Sequence, residues 1–177
     1  MKKTITLAVV LLTLLLAACG TPQDGRADVA NAFCSEFYEN VDNVAMGELI
    51  DTISAVPSPE DLQALDADGI LAIDTQKQAK MEELYAPLKE YFAEGAFEQF
   101  IPQALLYEYR KQCYELEASP AITDFYVAEG NGGTLDVTLT LSTGIEGKAE
   151  IEQHLQFTFD GNEKITDVFF TSRSFLN

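Results

Sequence analysis

His154, the only histidine in the 177-residue chain, is the first candidate for acid–base chemistry. It lies in a segment where apolar and polar residues alternate, so Leu155 and Phe157 share one face of a predicted strand and His154 lies on the other. A catalytic base has to reach its substrate in a concave, partly dry site. The polar face does not supply that setting, and we predict that His154 is a solvated surface residue.

Three further polar residues belong to the same group of strands. Asp124 and Asp167 lie near predicted strand ends, where the alternation does not decide their face, and a surface position is favoured for both. Gln153 falls on the inward face together with Ile151 and Leu155, which predicts a buried amide. That amide would either bond a neighbouring backbone group in the core or provide a polar contact in a pocket.

Motifs for metal, phosphate or nucleophile chemistry are missing from the sequence. The segment Leu65–Gly69 resembles part of a calcium loop, but the EF-hand register would put Ala64 at the first ligand position and Thr75 at the last. We find no phosphate loop, no GxSxG nucleophile elbow and no zinc spacing. The sequence therefore predicts no catalytic residues, no metal ligands and no cofactor, and it leaves the ligand-binding residues unknown.

The amino terminus has the pattern of an export signal. Lys2 and Lys3 precede the apolar run Ile5–Leu16, which is shorter than the roughly 20 residues of a membrane-spanning helix. The run ends at Leu16-Ala17-Ala18-Cys19, which resembles the lipobox of bacterial lipoproteins. The resemblance implies a signal peptide over residues 1–18 and a diacylglycerol on the Cys19 thiol, with fatty-acid chains such as palmitate. The alternative is an ordinary secretory signal with an incidental cysteine.

A lipid on Cys19 would define both the domain organisation and the location. Residues 19–25 would form a short tether, and residues 26–177 a single domain held at the cell membrane outside the cytoplasm, or at the outer membrane if the cell has one. The net charge of −18 excludes nucleic acid as a partner. Anionic lipid would repel the same charge, so the membrane contact would depend on the lipid at Cys19.

Two cysteines remain once Cys19 is assigned to lipid. Cys34 and Cys113 each lie on an apolar stripe at helical spacing, so both are predicted to point into the core. An oxidising location permits a disulfide bond between them, and we predict this pair. The alternative is two buried free thiols, because cysteine also acts as a small apolar core residue.

The elements that carry these residues change character along the chain. Apolar residues recur at helical spacing from about Arg26 to Glu117. The predicted helices are one starting near Arg26, Met46–Ile53, one starting at Ser58, Thr75–Ala93 and Ala96–Leu116, with a break at Asp66–Ile70. Pro87 and Pro102 should interrupt the last two helices, and Gly95 should separate them.

After Pro120 the apolar period changes to two. The predicted strands are Ile122–Ala128, Leu135–Leu141, Lys148–Phe159 and Lys164–Ser172, separated by glycine-containing turns. Helices followed by one-sided strands predict an α+β domain, with the N-terminal helices packed on one face of a four-stranded antiparallel sheet.

Four segments resemble lipid-anchored members of the nuclear transport factor two-like superfamily: Asp28–Ile53, Leu84–Ile101, Tyr114–Val127 and Gly147–Phe170. The resemblance rests on apolar spacing and hairpin ends. It implies a cone, in which a strongly curved sheet wraps over the helices and often leaves an apolar pocket at the open end. Enzymes of this superfamily place an acidic base or a His-Asp pair inside the cone.

These observations together predict a noncatalytic, lipid-anchored protein of the cell envelope. It would bind a protein partner or a small apolar ligand. The alternative is an isomerase- or dehydratase-like enzyme that works through an interior carboxylate, such as Asp124 or Asp167.

Overall fold

The computed structural model describes residues 25–54 and 67–172. The predicted signal peptide, Cys19 and the helix predicted from Ser58 lie outside these residues. The helices are α1 (Gly25–Tyr38), α2 (Asn43–Ser54), α3 (Ala67–Leu84), a 3₁₀ helix (Ala86–Tyr91), α4 (Ala96–Phe100), α5 (Ala104–Glu115) and a short 3₁₀ turn (Asn131–Gly133). The strands are β1 (Ala121–Glu129), β2 (Leu135–Ser142), β3 (Ile151–Phe159) and β4 (Ile165–Phe170).

The predicted α+β class is confirmed. All four predicted strands are present, and they form one sheet in the order β1-β2-β3-β4 with antiparallel neighbours. Strand β3 begins at Ile151 rather than Lys148, since residues 148–150 belong to an exposed connection. The pairing register shifts once at each outer pair of strands, between Ile122 and Asp124 and again between Thr158 and Phe159.

Proline and glycine divide the helical half mostly as predicted. The regular helix α3 ends at Leu84, and Pro87 lies near the start of the 3₁₀ helix that follows. Gly95 precedes α4 with a φ of 77°, a left-handed conformation that glycine adopts without steric cost. The predicted break at Asp66–Ile70 is wrong over its described part, because α3 runs through Gly69. One internal glycine costs only about 1 kcal/mol, which does not end a helix of this length.

The core is built around aromatic side chains of α1. Phe33 stacks on Phe37 with ring centroids 5.9 Å apart, and it meets three further rings edge to face. These rings are Phe92 at 5.9 Å, Phe100 at 5.7 Å and Phe157 at 5.3 Å. One fully buried side chain therefore joins α1 to the chain following the 3₁₀ helix, to α4 and to the sheet.

The two faces of the sheet differ in burial. Inward residues of β2 and of the middle of β3, including Val137, Leu155 and Phe157, are at most 2% exposed. Outward residues of the same strands are polar and exposed or half-buried. Two large apolar residues are exposed on the outer strands, Tyr126 at 64% and Phe169 at 58%.

Each edge strand of the sheet has backbone groups that are hydrogen-bonded outside the strand pairing. On β1, the Ile122 N–H donates to the Glu39 carboxylate at 2.8 Å, and the Phe125 N–H donates to the Asp124 side chain at 2.9 Å. On the opposite edge, the Ala93 N–H donates to the carbonyl of Ile165 in β4 at 2.9 Å. These contacts use backbone groups that an edge strand otherwise leaves open.

We expect Phe33→Ala to lower the free energy of unfolding by about 3–5 kcal/mol, because the substitution leaves a cavity among the rings that join the layers. Urea denaturation followed by circular dichroism measures this change. Phe169→Ala is the matched control: it removes the same side chain from an exposed position, with an expected cost below about 1 kcal/mol. Equal losses in the two variants would contradict the central position of Phe33.

Candidate functional site

The structure places His154 on the outer face of the sheet, as predicted. Its Nε2 lies 2.8 Å from the Glu152 carboxylate, and its Nδ1 lies 3.1 Å from the Thr138 hydroxyl. The His154 side chain is 46% exposed. A depression of about 360 Å³ beside it is lined by residues of the strands β2 and β3 and by Thr171. The contacts and the exposure of His154 are thus those of a solvated surface histidine.

Asp124 and Asp167 are both exposed, which agrees with the surface position favoured for them. Asp124 accepts the N–H of its neighbour Phe125, and Asp167 faces Thr158 across the β3–β4 pair. Neither carboxylate therefore lies inside an apolar cavity. The alternative prediction was an enzyme with an interior carboxylate, and neither of the two residues suggested for that role is in the interior.

Gln153 is buried to 99%, which confirms the inward face predicted for it. Its Oε1 accepts a hydrogen bond from the Ser172 hydroxyl at 3.1 Å. The same hydroxyl accepts the His154 N–H at 2.9 Å. One hydrogen-bond partner of Gln153 is thus a side chain from the segment after β4, and this segment continues alongside β3. Gln153 has a structural role in this contact.

Cys34 and Cys113 are buried, as the helical stripes predict. Both are free thiols in the structure, so the predicted bridge is not formed there, which matches the alternative of two core thiols. The two cysteines lie on separate helices, each beside a tyrosine of its own helix, Tyr38 or Tyr109. Burial raises the pKa of both thiols, so the nucleophilic thiolate is disfavoured.

Arg110 is the functional candidate that the sequence analysis missed. It is 2% exposed and is the only buried charged residue among those whose burial the structure describes. Its position follows from helix geometry: Leu106, Tyr109, Arg110 and Cys113 have the i, i+3, i+4, i+7 spacing of one face of α5. The sequence does carry a signal for this candidate, namely a charged residue on the apolar stripe of a helix.

The Arg110 guanidinium is held among aromatic rings. Its Cζ lies 5.4 Å from the ring centroid of Tyr85 and 5.8 Å from those of Phe37 and Tyr109, within the range of cation–π attraction. Its Nη2 donates a long hydrogen bond of 3.4 Å to the Glu36 carbonyl. Burial raises the pKa of the Tyr85 hydroxyl, and the neighbouring guanidinium opposes this rise.

Two nitrogens of this group have no hydrogen-bond partner. Nε and Nη1 of Arg110 are buried and unbonded. In the part of the chain that the structure describes, no carboxylate lies within ion-pair distance of the guanidinium. A buried charge without such partners costs several kcal/mol of solvation, which makes this arrangement unusual.

Arg110 lies in the wall of a cavity of about 220 Å³, which we call the Arg110 cavity. It lies where α1, the start of α2, the end of α3, the 3₁₀ helix and α5 meet, and its lining combines apolar and acidic side chains. The lining residues are Glu36, Asn40, Asp42, Ala45, Glu83, Leu84, Tyr85, Pro87, Leu88 and Arg110. Since Asn40, Asp42, Glu83 and Pro87 are exposed, the cavity reaches the surface.

The three acidic residues of the lining are engaged elsewhere. Glu36 accepts from the Asn40 amide at 2.6 Å. Asp42 accepts from two backbone N–H groups at the start of α2, each at 2.9 Å, and Glu83 pairs with Lys80 at 3.2 Å. The cavity thus has one buried positive group in its wall and three acidic groups, none of which pairs directly with it.

A second groove of about 210 Å³ lies between α3, the turn at Pro102 and α5. Its walls include Met81 and Ile101, with Lys77 placed 5.6 Å from the ring centroid of Tyr107. The polar groups that line it do not include a buried unbonded charge. The Arg110 cavity is therefore the better candidate for a specific binding site.

No protein-family model matches the chain, and neither a curated protein nor a solved structure matches it. Within residues 25–54 and 67–172, no group of three or more His, Cys, Asp or Glu side chains is arranged to hold a metal ion. None of the helices among those residues has the length and apolar character needed to cross a membrane.

The state of Cys34 and Cys113 can be read by counting thiols. We expect Cys34 and Cys113 each to take up an alkyl label when the chain is denatured without reductant, and almost no label in the native chain, because both thiols are buried. Mass spectrometry counts the labels. A denatured chain that accepts labels only after reduction would show that the two cysteines are bridged.

We expect Arg110→Met to leave the free energy of unfolding unchanged or to raise it, by on the order of 1 kcal/mol. The methionine keeps apolar volume and removes a buried, incompletely bonded charge. Urea denaturation in ligand-free buffer measures the change. A loss above about 2 kcal/mol would instead mean that the ring contacts of the guanidinium outweigh its desolvation.

Proposed function

We propose that this chain is a lipid-anchored protein of the cell envelope that binds a protein partner or a small ligand without transforming it. The single observation that carries the location is Leu16-Ala17-Ala18-Cys19, preceded by two lysines and an apolar run. A lipid on Cys19 would place the body outside the cytoplasm, at the cell membrane or at an outer membrane if one exists. Two or more acyl chains suffice for stable anchoring.

The cone of the nuclear transport factor two-like superfamily is the finer fold that we propose for the body. It is supported by the order of helices before strands and by the four-stranded antiparallel sheet with α1 on its inner face. The register shifts at both outer strand pairs also support it, because bulges bend strands and increase their twist.

Binding is supported by the Arg110 cavity. Its lining combines apolar side chains with charged and amide groups, and ligand sites likewise combine apolar lining with polar groups that orient the ligand. The candidate acid–base residues of the sheet do not share that setting, since His154, Asp124 and Asp167 are all exposed. Recognition without chemistry is the function that fits both observations.

Lipidation is tested with Cys19→Ala in a bacterial host supplied with labelled palmitate. We expect the unaltered chain to incorporate the label, to start at a modified Cys19 by mass spectrometry, and to enter the detergent phase. Cys19→Ala should lose the label and remain unprocessed or leave the membrane.

Cys34→Ala is the matched control, because it removes a cysteine that is buried in the core. This variant should be processed and labelled like the unaltered chain. Unchanged processing and membrane retention in Cys19→Ala would contradict the lipoprotein assignment.

A further inference from the structure

We propose that the outer face of the sheet binds a neutral oligosaccharide, with one sugar ring against Tyr126, another against Phe169 and the units between them over the depression beside His154. This inference goes beyond the proposed function, because it assigns a further site and the class of ligand that the site takes. It depends neither on the Arg110 cavity nor on a lipid at Cys19.

The first step is a block of polar side chains on the two central strands, which we call the polar block. Its members are Asp136 and Thr138 of β2 and, directly opposite them, Gln156 and His154 of β3. The depression of about 360 Å³ is lined by the polar block and by Thr171. This volume falls within the roughly 300–1,000 Å³ of known sites for small organic ligands.

The second step is the position of two exposed aromatic rings beside the polar block. Tyr126 of β1 pairs with Thr138, and Phe169 of β4 pairs with Gln156, so both rings belong to the outer face and flank the block at diagonally opposite corners. They are 64% and 58% exposed. Strand spacing and rise per residue put their Cα atoms about 16 Å apart. Each ring can take the C–H face of one sugar ring, with the polar block under the units between them.

The third step is the space at the other two corners of the polar block. Ala128 faces Asp136 across the β1–β2 pair, and its methyl group is too small to cover the neighbouring carboxylate. The Thr171 hydroxyl donates to the His154 carbonyl at 3.0 Å, so this short side chain is held against the backbone of β3. The polar block is therefore open to a ligand that lies between the two aromatic rings.

The fourth step is the hydrogen-bonding capacity of the polar block. The Gln156 amide donates to the Asp136 carboxylate at 2.8 Å. The Thr138 hydroxyl lies 3.1 Å from Nδ1 of His154, and Nε2 of that ring lies 2.8 Å from the Glu152 carboxylate. These contacts orient the side chains and use only part of their capacity, because a carboxylate accepts several hydrogen bonds and an amide has a second N–H and a carbonyl oxygen. Sugar hydroxyls both donate and accept, so they complement this mixture.

The fifth step is charge, which favours a neutral ligand. The four strands contain no lysine or arginine, and Asp136 and Glu152 place negative charge at the depression. Ligands that carry phosphate or carboxylate groups would be repelled. A basic peptide is the competing occupant, because the two carboxylates attract cations. Such a peptide leaves the amide and hydroxyl donors of the polar block unused at its charged groups, whereas a polyhydroxyl ligand uses donors and acceptors alike.

The experiment uses the mature chain in a detergent whose headgroup is not a sugar. The probes are three neutral trisaccharides: cellotriose, maltotriose and the trimer of N-acetylglucosamine. We expect at least one of them to bind saturably in calorimetry, and glycerol at the same concentration of hydroxyl groups to give no saturable heat. In ¹H–¹⁵N spectra the bound trisaccharide should shift the backbone amide signals of the polar block and leave that of Arg110 unchanged.

Four variants test the geometry with the trisaccharide that binds, after circular dichroism has shown that each variant is folded. Tyr126→Ala and Phe169→Ala should each lower the affinity about three- to tenfold, the contribution of one aromatic contact. Gln156→Leu keeps the volume and removes the amide, and it should also lower the affinity about three- to tenfold. Tyr114→Ala is the matched control, because Tyr114 is an exposed tyrosine of α5, and it should leave the affinity unchanged.

Several results would overturn the inference. They are a lack of saturable binding by all three trisaccharides, an affinity that neither Tyr126→Ala nor Phe169→Ala lowers, or amide shifts confined to the helices. Tighter binding of hexalysine than of every trisaccharide, lost in Asp136→Asn, would assign the face to a basic peptide instead. Self-association of the chain that Tyr126→Ala abolishes would assign the rings to a contact between copies. The palmitate experiment tests the lipid at Cys19 separately from all of these.

Discussion

The packing of the Phe33 ring is the contact on which the rest of the structure depends. It meets aromatic rings from the chain after the 3₁₀ helix, from α4 and from β3, and it stacks on Phe37 of its own helix. Aromatic pairs have preferred offset and edge-to-face geometries, so a ring with four such neighbours fixes the relative orientation of the elements that carry them. The helical and strand halves therefore share one core.

This core also explains how a cation can be buried in so acidic a chain. Phe37 continues the stack from Phe33 to the rings of Tyr85 and Tyr109, and these three rings surround the Arg110 guanidinium. The electron-rich ring faces replace part of the lost hydration. The remaining deficit lies at Nε and Nη1. The aromatic core thus holds a charge that the protein itself does not fully satisfy.

Much of the fold could be predicted because strand alternation and helix-breaking residues act on their own segment, whatever the rest of the chain does. The alternation of β2 and β3 sets inward Leu155 and outward His154. Pro87 disfavours the continuation of regular helix, and α3 ends shortly before it. The helix through Gly69 was missed because neighbouring residues offset the cost of one glycine. The Arg110 cavity could not be predicted, because its walls come from five separate elements. Periodicity places Arg110 inward but does not reveal that its nitrogens lack acceptors.

The occupied edges of the sheet have a consequence for how copies of the chain behave side by side. On β1, carboxylates from Glu39 and Asp124 already accept two of the N–H groups that an incoming strand would need. On β4, the carbonyl of Ile165 already accepts a hydrogen bond from the Ala93 N–H. Polymerisation through continued β-pairing would have to displace these contacts first. Contacts within each chain therefore oppose the edge-to-edge association of neighbouring molecules at these three backbone groups.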